Sequence, residues 1–153
     1  MDTMSSPAKA ELKALVQSLI DQDILNSQFT QLQALRDQTN PDFVVKVVDL
    51  FCSDAQNIIK ILIKHMSQED TDFHQMDPYV HQLRGCTSSI GAQSMTMACA
   101  DLCQAFAARN KKICLKVLHK IECEYFTLYD KLRDVVQLEK QIFARVQPTT
   151  SGC

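Results

Sequence analysis

Apolar positions along this chain recur three and four residues apart, and no stretch alternates with period two over a useful length. The pattern predicts helices throughout. Leu12, Leu15, Val16 and Leu19 define a first helix that starts near Pro7, with Ser5 and Ser6 ahead of it and the proline in its first turn. A break from Asp21 to Asn26 leads to a short second helix capped by Ser27, with Phe29, Leu32 and Leu35 turned inward. "TNPDF" marks a third start, with Asn40 as cap, Pro41 in the first helical position and Asp42 at the positive end of the helix dipole. From Pro41 to about Ser67, the positions Val44, Val47, Val48, Phe51, Ala55, Ile58, Ile59, Leu62 and Met66 form one continuous stripe.

The polar run "SQEDTD" closes that helix, and "MDPYV" predicts a fourth, with Asp77 as cap and Pro78 at its first position. After Gly91, the spacing of Met95, Ala98, Cys99, Leu102 and Phe106 predicts a fifth, ended by Asn110 and the two lysines behind it. A long sixth helix carries Cys114, Leu118, Ile121, Tyr125, Leu128, Leu132, Val135 and Ile142. The expected architecture is all-α: an antiparallel four-helix bundle over roughly residues 41–143, with two additional short N-terminal helices over roughly 7–38. One domain should span 1–146, and 147–153 should form a disordered tail.

Composition narrows the function. Three glycines and four prolines among 153 residues leave few turns, which suits long helices. A net charge of -2 gives no basic face for nucleic acid. No apolar run approaches the roughly 18 residues that span a bilayer, and "MDTMSSPAKAEL" lacks the apolar core of a secretory signal. An intracellular protein that binds neither nucleic acid nor membrane is expected. The seven cysteines include no C-x-x-C pair. Cys99 and Cys103 lie one helical turn apart, but no second ligand pair accompanies them, so no metal site is expected. His65, His74 and His119 stand in other segments without an acid/base partner in the pattern, which leaves no enzyme constellation.

The stretch "HQLRGCTSSIGAQ", residues 81–93, holds two of the three glycines. In the fourth helix Met76, Val80, Leu83, Thr87 and Ile90 form the inward seam. His81 then falls about 140° and Gly85 about 180° from the centre of that seam, so both face solvent. Arg84 lies on the flank, three residues from the histidine, with Ser88 one turn further. A glycine inside a helix costs about 1 kcal/mol against alanine. At position 85 it leaves the ground beside the imidazole clear, and Gly91 reads as the helix-ending turn.

"VHQLRGCTSSIGAQ" resembles the motif of plant histidine-containing phosphotransfer proteins, whose usual form runs H-Q-L-K-G-S-S-S-S, then Ile or Val, then G-A. Residues 28–51, "QFTQLQALRDQTNPDFVVKVVDLF", are similar to the family's N-terminal half, and the likeness extends over roughly residues 12–138. The resemblance implies a phosphorelay carrier: His81 accepts a phosphoryl group from the receiver-domain aspartate of a hybrid sensor histidine kinase and passes it to a response regulator. In plants such relays serve cytokinin signalling and end in the nucleus, so a cytoplasmic and nuclear monomer is implied. Neutral imidazole is a good nucleophile near pH 7. The carrier needs no cofactor, since the magnesium ion belongs to the partner receiver domain.

The resemblance assigns phosphate stabilisation to Arg84, where the family has lysine. Receiver docking is implied for Gln82, Gly85 and Ser88 around the histidine, and for Leu25, Gln28 and Phe29 near the short N-terminal helices. Cys86 and Thr87 replace serines; Thr87 falls on the inward seam, and Cys86 reads as an inert small residue. Cys103 stands where many relatives carry a basic residue on the next helix, with Gln104 as the nearest substitute. A phosphotransfer-deficient helical module that competes for receiver domains is the alternative.

Overall fold

A computed structural model describes residues 7–146, with side chains as far as Ala144. The expected caps Ser5 and Ser6 and the expected tail at 147–153 lie outside the described residues. Six helices and no strand occur among those described: α1 (Pro7–Asp21), α2 (Ser27–Gln33), α3 (Phe43–Met66), α4 (Phe73–Ile90), α5 (Gln93–Ala107) and α6 (Lys111–Val146). Helices α3 to α6 each pack on their neighbour in sequence, and α3 closes the ring against α6. The connections are short enough that successive helices reverse direction, giving the antiparallel four-helix bundle. Helix α1, at 15 residues as long as α5, lies on α6, while α2 packs on α4 and α3.

The core follows the apolar stripes. Val44, Val48, Ala55, Ile58 and Leu62 of α3 meet Leu118, Ile121, Leu128, Leu132 and Val135 of α6, all buried. Each such aliphatic side chain contributes about 1.5–3 kcal/mol on burial. Tyr125 brings a polar atom into this region, and its hydroxyl donates to the Cys52 carbonyl at 2.8 Å. Leu35 departs from expectation. It lies beyond the last turn of α2 and is 63 % exposed.

Three helix starts differ from the sequence pattern, each for a local reason. In α2 the cap is Asn26, one residue before Ser27, and its side-chain oxygen accepts from the Gln28 N–H at 2.9 Å. Before α3, Asp37 accepts from the Thr39 N–H at 2.8 Å and the Asn40 N–H at 3.2 Å. Asn40 accepts in return from the Asp37 N–H at 2.8 Å. That closed turn leaves Pro41 ahead of the helix and Asp42 as its cap. Helix α4 starts at Phe73 rather than Asp77, because Asp72 caps it by accepting from the Gln75 N–H at 3.1 Å. Pro78 therefore sits inside α4, where it leaves the His74 carbonyl without its usual donor.

Candidate functional site

Helix α4 carries the motif with one face buried and the other bare. Met76, Val80, Leu83, Thr87 and Ile90 are all at most 3 % exposed, as the seam requires. Thr87 satisfies its hydroxyl by donating to the Arg84 carbonyl at 3.0 Å. On the opposite face His81, Gln82, Arg84, Gly85 and Ser88 are exposed. Neither His81 nor Arg84 makes a side-chain hydrogen bond or ion pair among the described residues. The imidazole and guanidinium are thus both available to a partner.

The two glycines differ in physics. Gly85 has ordinary helical backbone, and a Cβ added there would meet nothing within 4 Å. Neither conformation nor packing requires a glycine there, and its missing side chain leaves open space one turn from His81. Gly91 is left-handed at φ 79° and ends α4, with its own N–H bonded to Ser88 and the Ala92 N–H to the Thr87 carbonyl at 2.9 Å. A Cβ at Gly91 would lie 2.6 Å from the Asn26 side-chain oxygen and 2.8 Å from the Phe29 nitrogen.

That close approach locks the N-terminal helices to the end of α4. The Asn26 N–H donates to the Gly91 carbonyl at 2.9 Å, and the Gln93 N–H to the Ile24 carbonyl at 3.0 Å. The Asn26 amide donates to the Gln93 side chain at 2.7 Å, and the Ser94 hydroxyl to the Asp23 carbonyl at 2.7 Å. Gln28 is exposed here and reaches the Ser89 carbonyl at 3.4 Å. Leu25 and Phe29 are not docking residues: at 1 % and 0 % exposed they fill the interior beneath this junction. Burial of their apolar surface fixes them there.

His81 also borders a shallow groove of about 210 Å³ between α4 and the end of α5, shared with Asp77, Val80, Cys103, Phe106 and Arg109. Cys103 contributes a thiol to its wall, while Gln104 is exposed nearby on α5. Asp77 and Arg109 had no signal in the sequence pattern, since Asp77 read as a cap. A larger depression of about 490 Å³ lies among α1, α2 and α6 and contains no histidine.

Two thiols of this region, Cys86 and Cys99, are poorly suited to reaction. Burial pushes the Cys99 thiol up to about 12 and, with the charge of Asp54 adding to it, raises that of Cys86. No group of three or more histidine, cysteine or acidic side chains that could hold a metal occurs among the described residues. Nor is any described helix long and apolar enough to cross a membrane.

Comparison with known proteins agrees with this geometry. The Hpt domain family matches residues 46–141. Histidine-containing phosphotransfer protein 1 of rice (Oryza sativa subsp. japonica) is 40% identical, over 88% of this chain and 92% of its own length. The crystal structure of a histidine-containing phosphotransfer protein from maize superposes with a TM-score of 0.83 at 38% identity, covering 88% of this chain and 99% of that one. Pseudo histidine-containing phosphotransfer protein 6 of Arabidopsis thaliana is 33% identical, over 87% of each chain. The six-helix fold thus has its counterpart in the maize structure, and the chain belongs to the plant histidine-containing phosphotransfer proteins of the Hpt domain family.

Proposed function

We propose that His81 is the phosphoacceptor of a relay between receiver domains. It takes the phosphoryl group from the aspartate of a hybrid sensor histidine kinase and gives it to the aspartate of a response regulator, in cytokinin signalling. The observation that carries this reading is the exposure of His81, in the motif position, without a side-chain partner among the described residues. A ring nitrogen lone pair forms the N–P bond as the acyl-phosphate P–O bond breaks and the aspartate carboxylate departs. The return transfer reverses these roles. Arg84, three residues along, supplies a forked cation for the phosphoryl oxygens. Gln82, Gly85, Ser88 and Gln28 form the docking surface around it. The magnesium ion resides in the receiver domain, and this protein acts as a monomeric carrier in cytoplasm and nucleus without turnover of a small substrate.

The pseudo relative supports a second reading, a module that binds receivers without transfer. A phosphorylated receiver mixed with this protein distinguishes the two. Acid-labile label should appear on the wild type and be absent from His81→Gln. Equal labelling of both proteins, or tight binding with no label, would reject the acceptor role.

A further inference from the structure

We propose that Arg109 is a second cationic contact for a phosphoryl group on His81, held in readiness by Asp77; this rests on His81 being the phosphoacceptor. Arg109 and His81 border the same groove, from the turn after α5 and from α4 respectively. The α5 wall otherwise offers a thiol at Cys103 and apolar side chains, and no other cation.

Arg109 is placed there at a conformational cost. Its φ is 55°, a left-handed value that costs a residue with a Cβ roughly 1–2 kcal/mol and ordinarily selects glycine. Its N–H bonds the Phe106 carbonyl at 2.9 Å, and the Asn110 N–H bonds Ala105 at 3.1 Å, so the backbone is a helix-ending turn. Glycine would serve that turn better, which directs attention to the side chain. The guanidinium lies over the Phe73 ring at 5.3 Å and spans both oxygens of Asp77 at 3.3 and 3.4 Å. Those bonds are long for a charge-assisted pair, which typically closes to about 2.7–2.9 Å. The side chain also remains 48% exposed. Arg109 is therefore steered by the ring and only loosely held by the carboxylate.

Asp77 precedes His81 by one helical turn and shares its face. A phosphoryl group of about two negative charges beside that carboxylate is repelled by it and outcompetes it for the guanidinium. Arg109 then transfers its fork from Asp77 to the phosphoryl oxygens, adding to the cation of Arg84.

The test uses potassium phosphoramidate on the full chain: its P–N bond breaks, ammonia leaves, and an N–P bond forms at the histidine. The last proton of the phosphoryl group is then titrated by phosphorus NMR. Arg109→Gln should raise the midpoint by about one pH unit, with partial recovery in Arg109→Lys. The shift should persist when Arg109→Gln is made in an Asp77→Asn background. If it vanishes there, Arg109 only screens Asp77 and the contact is refuted. An unchanged midpoint with wild type fully labelled at His81 also refutes it, while absence of label at His81 refutes the acceptor role itself. Arg109→Asn, whose residue tolerates left-handed backbone, replaces the glutamine variant if that one melts early.

Discussion

Arg36 and Glu139, 103 positions apart in sequence, form an ion pair in which the carboxylate is 1% exposed. Gln33 donates to the second carboxylate oxygen at 3.2 Å, so α2 and the segment after it are fastened to α6. Burial lowers the affinity of Arg36 for its proton, although the guanidinium stays at 27% exposure. Glu139→Ala strands that cation and Gln33, and should cost about 1–3 kcal/mol, read as a lower urea midpoint. Glu139→Gln, whose amide oxygen can still accept from Arg36, should cost less.

Gly91→Ala should be far more damaging. The residue would carry a Cβ at a left-handed φ and within 2.8 Å of the Phe29 backbone nitrogen. The two penalties together amount to roughly 2–5 kcal/mol. Thermal unfolding should show a large drop in Tm, with amide exchange accelerated first in α2.

Gly85→Ala should do the reverse. With nothing within 4 Å of the added carbon, only helix propensity changes, and stability should rise by up to about 1 kcal/mol. Gly85→Leu should fold equally well but slow transfer from a receiver, because the side chain stands beside His81. Transfer at the wild-type rate by Gly85→Leu would refute the access role of Gly85.

Stability should fall at alkaline pH. Burial pushes Cys99 up to about 12 and Cys114 up to about 11 from an ordinary 9.0, and also raises Cys52 and Tyr125. These groups remain protonated in the fold, whereas the unfolded chain loses its thiol protons near 9.0. Stability is thus full below that value and declines as pH rises toward 11–12, the unfolded state binding fewer protons. Urea midpoints at about pH 8 and about pH 10.5 check this, and Cys99→Ala should flatten the difference.

How much of this the sequence disclosed varies with the range of the interaction. The exposed position of His81 and the burial of Thr87 follow from helical periodicity alone, because the seam residues between them are unambiguous. The start of α4 was hidden by Pro78, whose place behind an aspartate imitates a first-turn proline while the actual cap, Asp72, lies in the polar loop. The docking assignment of Leu25 and Phe29 comes from the resemblance, against the local spacing that already turns Phe29 inward; for Leu25 nothing local reveals its burial. The Asn26–Gln93 contact joins residues 67 apart and has no local signature at all. Glu139 did leave one: it sits four residues after Val135 and three before Ile142, on a seam position where a carboxylate requires a buried partner.

The junction of Asn26, Gly91 and Gln93 has a consequence for how such a carrier diversifies. A relay protein meets its donor and its acceptor with one surface, in succession. Because main-chain hydrogen bonds fix the spacing between α2 and the imidazole, neither visitor has to reset it on arrival. In the proposed relay, an exposed position such as Gln28, beside the Ser89 carbonyl, can therefore vary to prefer one visitor over another while the alignment of His81 stays constant.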